Sequence, residues 1–268
     1  NINDGCGSTH PEALAAAVRE QGADLGLSFD GDADRMLAVD HRGTLVDGDE
    51  LIGMFARDLD GRGELEQRAV AVTILSNLGL RRALEAAGIA VHETPVGDRH
   101  VADALEAHGL VLGGEQSGHI IFRRQATTGD GVLSGLKLLE LISRRRQPLS
   151  SLAAEAMTRI PQVMVSVPVS DTRRLPDAAA VWAEVARVEQ ELGERGRVLL
   201  RASGTEPKVR VMAEAESEEL ASEVVERLVE AVKASLGAHG SSLGSPVGAP
   251  GQAGDGERRA GTDRRRRA

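Results

Sequence analysis

Aromatic residues are nearly missing from this chain: they make up 1% of its 268 residues, with no Tyr, one Trp and three Phe. Leu, Val, Ile and Ala must therefore fill the core, and the aromatic platforms on which single-stranded nucleic acid stacks are not expected. Cysteine occurs once, at Cys6, so no internal disulfide can form. That usage fits a reducing compartment, and a cytoplasmic location is the expectation. No apolar run reaches the roughly 18 residues that a membrane helix requires, which argues against a membrane partner. Positive charge is in deficit too. The formal net charge is -9, which argues against a nucleic-acid partner and for a cytosolic enzyme.

What is present suits a globular protein of about two domains: 41% of residues are hydrophobic and 27% charged. The chain opens on Asn-Ile-Asn-Asp-Gly-Cys-Gly, without Met and without an apolar leader. It reads as the middle of a domain, and truncation upstream is the expectation.

Periodicity and turn signals give the organisation. Thr9 to Glu12 has the spacing of a capping box before a helix over residues 11–21. Residues 25–29 read as a strand running into an Asp-rich loop. Residues 36–40 and 44–46 read as two strands joined by a turn. The β-branched run 69–75 looks like a buried parallel strand. After it, helices over 78–87 and 98–107 alternate with strands over 89–94 and 110–112. A strand at 120–122 and a Leu-rich helix at 131–145 follow. This alternation predicts an α/β fold with a mixed, mostly parallel sheet. A smaller α+β unit follows, with strands at 163–169, 197–201 and 209–214 and helices at 176–192 and 217–236. The expected domains are residues 1–44, 45–156 and 157–237. A Gly-, Ser-, Pro- and Arg-rich tail over 238–268 is expected to be disordered.

The loop Asp30-Gly-Asp-Ala-Asp-Arg35 sets carboxylates at i, i+2 and i+4. Three like charges so close are costly without a cation, and hard oxygen ligands of this kind suit Mg²⁺. Gly31 and Ala33 are small enough to let the chain curl round an ion. Arg35 would offer a phosphate its planar fork. An EF-hand is excluded, because Arg35 and His41 stand where that loop needs Gly and Glu. A phosphatase Asp-x-Asp pair fits Asp30 and Asp32, but that pattern expects Thr or Val where Asp34 stands. An acidic surface turn remains a third reading.

Four further loops carry polar groups. Gly113 to His119 (GGEQSGH) lies between two strands, and Glu115, Ser117 and His119 have the chemistry to bind sugar hydroxyls. An incidental Gly-rich connection would look similar. Arg99 in Val96-Gly-Asp-Arg-His100 either reaches the same cleft or is solvated while Asp98 caps a helix. Ser76-Asn77 either lines the cleft or caps. Arg201 to Arg210 (RASGTEPKVR) joins two strands and offers Arg201, Ser203, Gly204, Thr205 and Arg210 to a phosphate; a polar hairpin is the plainer reading. Cys6 has no base beside it and reads as a packing residue.

Taken together, these loops resemble the α-D-phosphohexomutases. That family carries a DGD-x-DR metal loop, a GE-x-SGH sugar loop and an R-x-SGTEP phosphate loop. Here DGDADR stands at 30–35, GEQSGH at 114–119 and RASGTEP at 201–207, in the same order. With NDGCGSTHP, LSNLGL and VGDR, the set looks most like the branch that acts on glucosamine phosphates. The resemblance covers roughly residues 1–237. It implies a four-domain enzyme of which this chain holds part of domain 2, then domains 3 and 4. Nothing here matches the phosphoserine loop of domain 1, so that N-terminal part becomes an implied partner and the chain alone is expected to be inactive. The implied reaction interconverts glucosamine 6-phosphate and glucosamine 1-phosphate through a phosphoserine and a bisphosphate, feeding cell-wall precursor synthesis. The resemblance gives Mg²⁺ to Asp30, Asp32 and Asp34, catalytic roles to Arg35 and His119, and substrate contacts to Arg99, Glu115, Ser117, Arg201, Ser203, Gly204, Thr205 and Arg210. A mutase for mannose or glucose phosphates, and a non-catalytic sugar-phosphate-binding fragment, stay open as alternatives.

Overall fold

The computed structural model describes residues 2–204 and 206–237; the tail and Thr205 lie outside the described residues. The chain forms two compact units. Of the described residues, the first holds those up to 162 with 189–197 and 214–221; the second holds those within 163–188, 198–213 and 222–237.

The first unit begins with helix α1 (Glu12–Gln21), which ends on the left-handed Gly22. The expected capping box is not formed: Pro11 is the N-cap and no side chain caps the helix. Pro11 already supplies a helix-ready φ of -78°, so the end closes without one. Strands β1 (Leu25–Phe29), β2 (Met36–Asp40) and β3 (Leu45–Val46) make an antiparallel sheet in that order. A capping box does form after β3. Asp47 accepts from Asp49 N and Glu50 N, while Glu50 accepts from Asp47 N, and this starts helix α2 (Gly48–Gly61). Such a cap contributes about 1 kcal/mol.

The second sheet has the order β5-β4-β6-β7. Strands β4 (Ala69–Thr73), β5 (Ala90–Thr94) and β6 (Leu112–Gly114) are parallel, and β7 (Ile120–Phe122) returns antiparallel to β6. Strand β6 begins two residues later than its apolar run suggests and takes in Gly113. A Cβ there would meet Ala71 O at 2.7 Å, so only glycine lets the strands close up. Helices α3 (Leu78–Ala86), α4 (Asp98–His108), α5 (Gly131–Arg145) and α6 (Leu149–Ala156) complete the unit. Alternate residues of β4 face opposite layers. Val70 and Val72 join the core with Leu51, Ile52, Leu80 and Leu138, whereas Ala69 and Ala71 pack with Val101 and Leu105 of α4. The result is helix, sheet, helix. No described helix is long and apolar enough to cross a membrane.

The remaining elements are β8 (Gln162–Pro168), α7 (Ala179–Leu192), β9 (Arg197–Ala202), β10 (Lys208–Glu214) and α8 (Glu218–Leu236), with sheet order β8-β10-β9. The apolar face of α8, including Val224, Leu228, Val232 and Leu236, is buried.

Candidate metal and sugar-phosphate loops

Strand β1 delivers the Asp-rich loop, and β2 takes the chain away from it. Between them Ala33 is left-handed at φ +58°, a conformation few non-glycine residues adopt. That turn gathers the acids: one oxygen from each of Asp30, Asp32 and Asp34 lies within 4.8 Å of the others. Burial, and then the neighbouring Asp30 carboxylate, push the Asp34 carboxyl above its usual range, while His119 pulls it down. Crowded carboxylates of this sort fit a hard divalent cation with oxygen ligands. Arg35 Nε lies 3.8 Å from Asp30 and 3.9 Å from Asp34, and the guanidinium is partly open to solvent.

The loop at residues 113–119 is fastened to this one through backbone. Met36 N donates to Gly118 O at 3.1 Å, and Arg35 bridges to His119. Gly118 has φ +90°, and a Cβ on it would meet Met36 O at 2.3 Å, so the loop closes only with glycine there. The start of α2 holds the other side, with Gly48 N donating to Gln116 O at 3.0 Å.

His119 is buried, and both ring nitrogens are engaged. Nδ1 lies 2.9 Å from Asp34 Oδ2, and Nε2 accepts from Gly129 N at 3.0 Å. A backbone N–H at Nε2 leaves the ring proton on Nδ1, so His119 donates to Asp34. Glu115 is tied as well: its carboxylate accepts from Gly97 N at 2.9 Å, which joins the 96–100 loop to the sugar loop. The Ser117 hydroxyl is buried and has no hydrogen-bond partner among the described residues.

Other candidates fall differently. The Arg99 side chain is 88% exposed, with its Nε 3.9 Å from Asp103. Gly97, not Asp98, is the N-cap of α4. Ser76 and Asn77 are fully buried, and Asn77 caps α3 through Gly79 N while bonding Ile160. The linking role of Asp34 and His119 was missed in the sequence, where they are 85 residues apart.

In the second unit, β9 ends at Ala202 and β10 starts at Lys208. Ser203 N donates to Lys208 O at 2.8 Å, and Lys208 pairs with Glu206, which shapes the hairpin between them. Arg201 and Arg210 are half-buried, Ser203 is half-buried and Gly204 is exposed with open space beside it.

The family description "Phosphoglucomutase/phosphomannomutase, alpha/beta/alpha domain III" matches residues 47–160, and that family's C-terminal domain matches residues 164–231. The chain belongs to this phosphohexomutase family. The phosphoglucosamine mutase of Bacillus subtilis is 50% identical over 237 residues, covering 88% of this chain and 53% of the relative. That of Frankia alni is 53% identical over 237 residues, covering 88% and 52%. The chain therefore spans about half the length of the curated relatives it matches. Among solved structures, a phosphoglucomutase/phosphomannomutase family protein from Burkholderia thailandensis superposes with TM-score 0.71 at 22% identity, over 87% of this chain and 51% of that one. The N-acetylphosphoglucosamine mutase of Aspergillus fumigatus, solved with GlcNAc-6P and magnesium, gives 0.68 at 22%, over 86% and 53%. At that identity both show the fold.

Proposed function

We propose that this chain carries the metal, sugar and distal-phosphate loops of a phosphoglucosamine mutase, which interconverts glucosamine 6-phosphate and glucosamine 1-phosphate through a phosphoserine enzyme and a bisphosphate. The convergence of Asp30, Asp32 and Asp34 beside a sugar loop locked to them by His119 carries this reading. The curated relatives at about half identity point to the amino-sugar branch. The domains are proposed to run over 1–44, 45–156 and 157–237, in a cytoplasmic enzyme.

In this reading Asp30, Asp32 and Asp34 hold Mg²⁺, which when bound supplies charge neutralisation at the phosphoryl oxygens. Arg35, loosely held and half open, presents its remaining N–H donors to the same phosphoryl group. Ser117 offers an unengaged hydroxyl, and Glu115 a carboxylate with acceptor capacity beyond Gly97, to the sugar. Arg201, Ser203, Gly204, Thr205 and Arg210 bind the phosphate that is not transferred. Arg99, exposed in the first turn of α4, is the remaining substrate contact in this reading. His119 acts through Asp34 and is a positioning residue, not an acid or base.

The test joins the N-terminal half of the Frankia alni relative to residue 1 of this chain. The fusion is then assayed on glucosamine 6-phosphate, mannose 6-phosphate and glucose 6-phosphate with Mg²⁺ and a hexose bisphosphate. Turnover should be fastest on the amino sugar. Equal or faster turnover of mannose 6-phosphate sinks the proposed specificity. The 268-residue chain alone should show none.

A further inference from the structure

The carboxylates of the Asp30–Arg35 loop come together because Ala33 is left-handed, at φ +58°. An L-residue with a Cβ adopts that conformation only at a steric cost, so the surroundings must hold it there. Two bonds close the turn from inside: Ala33 N donates to Asp30 O and Arg35 N to Asp30 Oδ1, each at 3.2 Å. Neither engages the carbonyl of Ala33. That group accepts from outside the loop, from Gly131 N at 2.8 Å.

Gly131 is the first residue of α5 and is buried. It lies against the loop as only glycine can. A Cβ there would meet Arg35 O at 2.6 Å and Ala33 O at 2.9 Å, the carbonyls of the two residues that flank Asp34. Its φ is not left-handed, so close approach and not backbone freedom demands the glycine.

The support behind Gly131 is firm. Asp130 accepts from Leu133 N at 2.9 Å, Ser134 Oγ donates to Asp130 O at 2.8 Å, and Leu138 and Leu141 bury the helix in the core. Two residues before Gly131, Gly129 N holds His119, whose Nδ1 holds the Asp34 carboxylate. The short stretch ahead of α5 therefore reaches Asp34 twice, through its side chain and through the backbone on either side of it.

We propose that Gly131 is a positioning residue of the metal loop. Its N–H keeps Ala33 left-handed and its missing side chain lets the loop lie against α5, so the oxygens of Asp30, Asp32 and Asp34 stay gathered in the ion-free chain. The proposal rests on the proposed function for the identity of the ion as Mg²⁺.

Calorimetry of Mg²⁺ on the 268-residue chain tests it. Gly131→Ala should weaken binding by at least about tenfold. Ala33→Gly should bind as the parent does, because glycine turns left-handed at no steric cost. Added to Gly131→Ala, it should restore most of the lost affinity. A Gly131→Ala chain that melts lower but binds Mg²⁺ as the parent does overturns the proposal, since the glycine would then serve packing alone. A double variant as weak as Gly131→Ala overturns it too.

A second measurement needs no substitution at Gly131. Coupling between the Gly131–Ala33 bond and the ion is reciprocal. Saturating Mg²⁺ should slow hydrogen exchange at the Gly131 amide by about tenfold, and more than at the Leu133 amide one turn into the same cap. Equal slowing at both amides, or none, overturns the proposal, as does a parent chain that binds no Mg²⁺. If Gly131→Ala weakens Mg²⁺ binding while the Frankia alni fusion turns over no sugar phosphate, the positioning role stands and the proposed activity falls.

Discussion

His119 donates from Nδ1 to Asp34 Oδ2 at 2.9 Å while its Nε2 accepts from the backbone of Gly129 at 3.0 Å. One imidazole therefore orients an acid of the Asp30–Arg35 loop and holds the loop ahead of α5. Outer partners of ligating carboxylates typically change metal affinity by about 10–100-fold when removed.

The two replacement amides separate the two bonds of His119. Asn at position 119 places its amide near the Nδ1 position and can still donate to Asp34. Gln reaches toward Gly129 instead. Titration of Mg²⁺ by calorimetry should show His119→Gln weakened by at least about tenfold, with His119→Asn closer to the parent. If both bind Mg²⁺ as the parent does, Asp34 needs no help from His119.

On the proposed reading, binding of Mg²⁺ to the folded Asp30–Asp34 loop stabilises the fold. At a concentration of about 100 times Kd the gain is about 2.7 kcal/mol. Melting curves of the chain with and without Mg²⁺ should therefore separate, and Asp32→Asn should close most of the gap. Asp32 is exposed, so the variant itself should fold. A Mg²⁺ shift that survives Asp32→Asn counts against the loop as the metal site.

Much of this was legible beforehand because the signals were local. The strand at 25–29, the helix at 131–145 and the acidic triplet each declare themselves in a short window. Helix α2 was missed because it begins at Gly48 and carries Gly53, residues that weaken a helical reading. Its true signal, Asp47 with Glu50, was passed over in favour of Thr9 with Glu12, where Pro11 does the capping. Helix α6 is eight residues long, too short for its periodicity to stand out. Asn77 presented two equal readings until burial chose the cap. His119 looked like a sugar ligand because its sequence neighbours are polar, and only tertiary structure brings Asp34 to it.

Glu214 is wholly buried and accepts from Arg197 Nε at 2.5 Å, from Leu78 N at 3.1 Å and from Gln162 Nε2 at 3.1 Å. Arg197→Met would leave that carboxylate without its cation, at a cost of about 3–5 kcal/mol. The pair Arg197→Met with Glu214→Leu should cost clearly less than the sum of the two single changes, because no lone charge remains. Urea unfolding of the four proteins measures this. Additive single effects would mean that the two side chains do not act as a pair.

Asp49 gives a dependence on pH. It is fully buried in the first turn of α2, where Oδ2 accepts from Asn77 N at 2.8 Å. Burial, and then the charge of Asp47, push its carboxyl up to about 8. The unfolded chain releases this proton near pH 4, whereas the folded chain keeps it until about pH 8. Between those values the folded state binds more protons, so stability falls as pH rises and levels off above about 8. Asp49→Asn keeps an acceptor for Asn77 and has no proton to lose. It should be more stable than the parent at pH 8, and the gain should shrink steadily as pH falls toward 4. Urea midpoints across that range measure the difference. A gap that stays constant with pH would show that Asp49 ionises normally in the folded chain.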